Sequence, residues 1–271
     1  MICFPNAKIN LGLNIVAKRP DGYHNIETIF YPIACRDVLE CVPADAYSLQ
    51  VSGIALDNNN NQDNIVSKAY RLLAAEYPTL QPCAFYLHKN IPCGAGLGGG
   101  SADAAFALKL LNDSCQLNIP IEKLEAYASR IGADCPFFIR NKAVFAEGIG
   151  DKFSSINLSL KGYYIVLIKP DIHVSTAEAY GGVKPKQPET SLKDLIQLPI
   201  ESWKDSIVND FEAGIFEKHP EIKEIKEELY RQGAIYASMS GSGSSVYGIF
   251  SQEVHLQELF KEHFYWADFL Q

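Results

Sequence analysis

The segment 91–105, read Ile-Pro-Cys-Gly-Ala-Gly-Leu-Gly-Gly-Gly-Ser-Ala-Asp-Ala-Ala, constrains this chain more than any other. Five of the seven residues from Gly94 to Gly100 are glycine. Such a run gives up side-chain packing and carries the largest backbone entropy loss of any residue type. It makes sense where the backbone needs positive φ angles and must admit something close to it. Residues 84–88 read as a strand that ends at Pro92. Residues 101–108 read as the first turns of a helix, with Ser101 as its N-cap. Strand, glycine loop and helix N-terminus form an anion site, because free amides and the positive end of the helix dipole point at the same place. A purely structural turn is the alternative, and it leaves the glycine content without a purpose.

Two familiar phosphate loops fit poorly. A Walker A loop needs lysine immediately before the serine, and here Gly100 precedes Ser101. The spacing Gly94, Gly96, Gly99 satisfies the dinucleotide pattern, but the acidic residue about 20 positions on would be Asp113. That residue sits at the end of a helix rather than a strand, which argues against a Rossmann oxidoreductase.

A chain of 271 residues with a net charge of −8 suits one large or two modest domains. The acidic balance and the lack of a basic run argue against nucleic acid as a partner. The longest apolar stretch, 163–168, is far too short to span a membrane, and the N-terminus lacks a signal-peptide layout. Seven cysteines, an odd number without a C-x-x-C or zinc spacing, fit reduced thiols in the cytoplasm.

Other stretches supply candidate side chains. From Ala7 the chain alternates as a strand with Lys8, Asn10, Gly12 and Asn14 on one face. That face is either a solvated edge or a short-reaching, donor-rich wall for an anionic or hydroxylated ligand. Arg19-Pro20-Asp21-Gly22 is a turn, and the Tyr23-His24 pair after it serves either packing or a stacked base. Residues 57–63 read as a polar surface loop, and 64–76 and 121–131 as amphipathic helices, the second closed by Gly132 as a C′ glycine. Asp134 lies in a short loop before an apolar run, so it is partly buried and needs donors or a cation. It serves as a helix cap or local Asx turn, or as a catalytic carboxylate paired with a lysine such as Lys8. A second strand core, 163–170, opens a second domain. A helix start at 174–180, a flexible surface segment at 181–198 and an amphipathic helix at 220–231 follow. Residues 237–250 form a second small-residue loop running into a strand, which is either a tight turn or a second wall around a polyanion. The aromatic final dozen residues are a packed tail or a contact surface.

Taken in order, these motifs resemble the GHMP kinases (galactokinase, homoserine, mevalonate and phosphomevalonate kinases). The resemblance rests on 7–11 (Ala-Lys-Ile-Asn-Leu), 21–24 (Asp-Gly-Tyr-His), the loop 92–104, 132–136 (Gly-Ala-Asp-Cys-Pro) and the loop 238–245. It implies a two-domain α+β chain, with a ribosomal-protein-S5-domain-2-like N-terminal half (1–155), a ferredoxin-like C-terminal half (156–271), and ATP and substrate between them. It implies an ATP-dependent phosphotransferase with an alcohol acceptor, Lys8 and Asp134 as its catalytic pair, and Mg²⁺ accompanying the ATP. Asp134 would orient the substrate hydroxyl proton. Lys8 would keep that carboxylate ionised and face the transferred phosphoryl. The ATP cradle would be Pro92, Cys93, Gly94, Ala95, Gly96, Leu97, Gly98, Gly99, Gly100, Ser101 and Ala102, with Ser101 a candidate toward the metal. Tyr23 and His24 would take a cytosine, and Asn10, Thr176 and Tyr180 would complete the wall for a cytidine diphosphate derivative of methylerythritol. A monomer or weak homodimer in the cytoplasm is implied. Rival readings are a homoserine- or mevalonate-type kinase, whose substrates carry no base for the 21–24 turn, and a non-catalytic nucleotide binder, which would not need both Lys8 and Asp134.

Overall fold

The computed structural model describes residues 1–54 and 64–271, so the polar loop expected at 57–63 lies outside the described residues. In chain order the first elements are β1 (Ile2–Cys3), β2 (Asn6–Lys18), β3 (His24–Arg36), β4 (Val38–Pro43) and β5 (Ser48–Gly53). Next come α1 (Ile65–Glu76), β6 (Cys83–Lys89), α2 (Gly99–Ser114), α3 (Ile121–Ser129) and α4 (Cys135–Arg140). The strands β7 (Val144–Glu147), β8 (Lys152–Ser155) and β9 (Tyr164–Lys169) follow. Short helices α5 (Thr176–Gly181), α6 (Leu192–Leu195), α7 (Trp203–Ser206) and α8 (Glu212–Lys218) precede α9 (Pro220–Arg231). The chain closes with β10 (Tyr236–Met239), β11 (Val246–Phe250) and β12 (Phe264–Phe269). The mixed content is the α+β class expected from the sequence.

Two compact units partition these elements, and they do not follow chain order. The first holds Met1–Ala7, Cys35–Cys93 and Gly98–Lys142; the second holds Lys8–Ala34, Gly94–Leu97 and Ala143–Gln271. The position 155/156 therefore falls inside the second unit.

The first unit is built on a sheet ordered β1-β4-β6-β5, in which β5 runs parallel to β6 and the other pairs are antiparallel. Helix α1 starts at Asn64, whose side chain accepts from Val66 N–H, as an N-cap should. Helix α2 is lined with alanines on buried faces, so α1 can lie close against it. The second unit carries two sheets, β2-β3-β7-β8 and the antiparallel β10-β11-β9-β12. Helix α9 turns Ile222, Ile225 and Leu229 inward, the face its 3.6-residue spacing predicts, against a core that includes Val166, Met239 and Val246.

Several expectations need correcting. The stretch 181–198 is not wholly a surface segment: α6 forms within it, and Leu192 and Ile196 are buried. Gly132 is not a left-handed cap; α3 ends at Ser129 with Arg130 as its C-cap, and the positive-φ residues do not include Gly132. The aromatic final dozen residues, by contrast, pack as one of their two readings has it: they contain β12, paired along its length with β9. Trp203 is buried in the second unit, with its indole N–H donating to the Leu198 carbonyl at 2.9 Å.

Candidate active site

In the first unit the glycine segment ends at the start of α2. The N-cap is Gly98, at φ +68°, and not Ser101, which lies in the first turn. Glycine takes this left-handed position without strain and carries no side chain to satisfy the first amides, so they stay available to an anion. Ser101 instead meets Cys135. Burial pushes the Cys135 thiol up to about 11, and the Ser101 hydrogen bond partly offsets this. Pro92 is buried, and Cys93 and Gly94 are exposed. Asp134 is half-buried and stands directly before α4, whose Pro136 suits a first turn lacking an amide donor. Its side chain makes no capping hydrogen bond to that helix, so the cap reading fails.

In the second unit the face carrying Lys8 and Asn10 is not a solvated edge. Lys8 is 4% exposed and Asn10 2%. Lys8 Nζ donates to Asn10 Oδ1 at 2.6 Å and to the Gly96 carbonyl at 3.0 Å, and lies 4.9 Å from the centre of the Phe30 ring. Asn10 N–H donates to Ser240 Oγ at 3.1 Å, and Ser240 Oγ donates to the same Gly96 carbonyl at 2.9 Å. Lys8, Asn10, Ser240 and Gly96 thus close a ring of hydrogen bonds around the ammonium. Asn10 Nδ2 donates to Thr28 Oγ1 at 2.8 Å, which in turn donates to the Gly12 carbonyl at 2.6 Å. Asn10 therefore spends both ends of its amide on Lys8 and Thr28.

The two small-residue loops meet here within one unit. A Cβ on Gly96, at φ +77°, would stand 1.9 Å from the Ser240 carbonyl oxygen, so only glycine permits this approach. Ser245 N–H donates to the Ala95 carbonyl at 3.3 Å. The second loop is held from behind: Asn209 Nδ2 donates to the Met239 and Gly241 carbonyls, each at 2.8 Å. Glu212 accepts from Met239 N–H at 2.8 Å and from Lys226 Nζ at 2.6 Å. None of Ser240, Asn209 and Glu212 stood out as a site residue in the sequence; the only advance signal was the serine-glycine pattern of 240–245.

The aromatic candidates also fall in the second unit. His24 and Tyr180 stack with ring centres 4.7 Å apart and planes 22° from parallel, and Tyr180 meets Phe211 edge-on. Rings this close leave no slot for a base between them. Tyr23 is 62% exposed, with its backbone N–H held by Asp21 Oδ1 at 3.1 Å, so its ring face is open. Thr176 is exposed at the start of α5, which Ser175 caps by accepting from Glu178 N–H. Among the described residues there is no group of three His, Cys, Asp or Glu side chains able to hold a metal ion, and no helix is long and apolar enough to cross a membrane.

The family models for the GHMP kinases N terminal domain and the GHMP kinases C terminal domain match residues 64–142 and 191–264. The chain is 58% identical to the 4-diphosphocytidyl-2-C-methyl-D-erythritol kinase of Parabacteroides distasonis, with 98% of each chain covered. It is also 58% identical to the enzyme of the same name from Bacteroides thetaiotaomicron, with 95% of each covered. A crystal structure of 4-(cytidine 5'-diphospho)-2C-methyl-D-erythritol kinase superposes with a TM-score of 0.85 at 29% identity, covering 98% of both chains.

Proposed function

Because the chain belongs to the GHMP kinase family, we propose that this ATP-dependent kinase phosphorylates the 2-hydroxyl of 4-diphosphocytidyl-2-C-methyl-D-erythritol. The reaction belongs to the non-mevalonate route to isoprenoid precursors. The observation that carries the chemical half of this reading is the closed ring about Lys8. It fixes an ammonium against the carbonyl of Gly96, inside the segment whose flanking amides suit phosphate.

Phosphoryl transfer asks for alignment and charge stabilisation more than covalent chemistry. Residues 92–102 are assigned to the triphosphate. Lys8 is assigned to the charge that develops on the transferred group, and Asp134 to the proton of the attacking hydroxyl. Asn10, Thr28 and Ser240 act through Lys8 by fixing where its ammonium points. Asn10 thereby serves the substrate chiefly by way of the lysine. Mg²⁺ accompanying the ATP would neutralise phosphate charge. The described side chains offer no carboxylate cage, so the ion would be carried by phosphate and water oxygens, with the Ser101 hydroxyl the protein oxygen best suited by chemistry. Tyr23 is assigned the cytosine face, with His24, Tyr180 and Thr176 beside it.

The test is ADP release with ATP and Mg²⁺, comparing the cytidine substrate with homoserine and mevalonate. Turnover confined to the cytidine compound supports the reading, and turnover with another alcohol removes the base platform. Asp134→Asn should lower kcat by about 10²-fold or more while ATP still binds. Near-normal turnover would take Asp134 out of the mechanism. Tyr23→Ala should raise KM for the cytidine substrate by a factor worth about 1–3 kcal/mol, with kcat little changed.

A further inference from the structure

A buried ionic cluster in the first unit joins the chain before the glycine segment to the chain after it. Lys89, the last residue of β6, is 1% exposed. Its Nζ donates to Asp37 Oδ2 and, at 2.6 Å, to Asp103 Oδ2 in the second turn of α2. The other Asp37 oxygen accepts the backbone N–H of Asn90 at 2.6 Å and of Ile91 at 2.8 Å. Asp37 therefore grips the chain just before the loop, Asp103 belongs to the chain just after it, and Lys89 ties the two together. The ends also touch directly: a Cβ on Gly99 would lie 2.8 Å from Ile91 Cγ2. The Lys89 backbone is locked as well, its carbonyl accepting from Ile54 N–H at 2.8 Å.

Burying three ionisable groups is a poor route to stability, since an apolar trio of equal volume does as well or better. What the ions add is direction. Two amides, two chain ends and one ammonium are set in fixed geometry, and Asp103 Oδ1 is left buried without a hydrogen-bond partner to achieve it. We propose that Asp37, Lys89 and Asp103 are positioning residues that clamp both ends of the glycine loop and thereby set this kinase's affinity for ATP. The inference rests on the reading of 92–102 as the triphosphate cradle. Burial, together with the Asp37 charge and only partly offset by Lys89, pushes Asp103 up to about 8. The shift favours its neutral form, and an amide, which keeps an oxygen for Lys89, can take its place.

Steady-state kinetics on Asp37→Asn, Asp103→Leu, Asp103→Asn and the loop variant Gly98→Ala test this in the full-length enzyme. Asp37→Asn and Asp103→Leu should raise KM for ATP about tenfold while KM for the cytidine substrate stays within about twofold, and Asp103→Asn should restore the wild-type value. A folded Asp37→Asn with normal KM for ATP, beside a defective Gly98→Ala, overturns the clamp alone. Normal KM for ATP in both overturns the cradle reading and the clamp with it. Hydrogen exchange on the wild-type enzyme decides the matter if Asp37→Asn does not fold. The Asn90 and Ile91 amides should exchange as slowly as the centre of α2, with or without a non-hydrolysable ATP analogue. Exchange as fast as that of the neighbouring loop amides would sink the proposal.

Discussion

Asp37 receives two backbone amides at the entry to the first loop and a fully buried lysine on its other oxygen. Glu212 receives one amide and the Ser238 hydroxyl at the entry to the second loop, and a lysine whose side chain is 21% exposed. The wiring is the same in both units, a carboxylate bridging loop backbone and ammonium, but the dielectric setting differs. In the dry cluster each group depends on the others for solvation, so losing one leaves charge stranded. At the wetter anchor, water can replace the lysine. The difference teaches that two anchors drawn alike should respond very differently to the same substitution.

Lys89→Met should cost about 3–5 kcal/mol in unfolding free energy, because it strands the buried Asp37 carboxylate without its cation and takes the donor from Asp103. Lys226→Met should cost about 1 kcal/mol or less. Urea titrations of the two variants side by side measure the contrast, and equal losses would erase it. Between the loops themselves, Gly96→Ala should cost about 3 kcal/mol, since its Cβ meets backbone at 1.9 Å. Gly241→Ala, at φ +57° with its nearest atom at 3.1 Å, should cost about 1–2 kcal/mol. A further effect is a slope with pH. Asp103 is raised from 3.8 to about 8 on folding, so its contribution to stability is fully present below about pH 4 and is lost as pH rises to about 8. Relative to Asp103→Asn, wild-type stability should fall across that window by no more than about 1.4 kcal/mol per pH unit. A difference that is flat with pH would show that Asp103 is ionised throughout.

How much of this could be read in advance depended on range along the chain. The glycine loop's backbone was legible because its conformational need is written in consecutive residues, and Gly94, Gly96 and Gly98 all take positive φ. The inward face of α9 was legible because a helix repeats its burial every few residues. The ring around Lys8 was half legible. Strand alternation puts Lys8 and Asn10 on one face, but Ser240 arrives from 230 positions away, and no local pattern announces that. The Asp37–Lys89–Asp103 cluster left one trace: along β6 the buried parity of Phe85 and Leu87 continues to Lys89, placing a lysine on the apolar face. Its partners lie 52 and 14 residues away, so the charge balance appears only in three dimensions. Helix α6 was missed because its surroundings are rich in proline and polar residues, and burial of Leu192 overrides that local preference.

The uneven division into two units has a practical spectroscopic consequence. Both tryptophans of the chain, Trp203 and Trp266, belong to the second unit. An indole-fluorescence melt therefore follows that unit alone and is blind to the body that contains Asp37, Lys89 and Asp103. Any gap between that melt and one followed by far-ultraviolet dichroism, to which α1 and α2 contribute strongly, reads out the stability of the first unit without a single label.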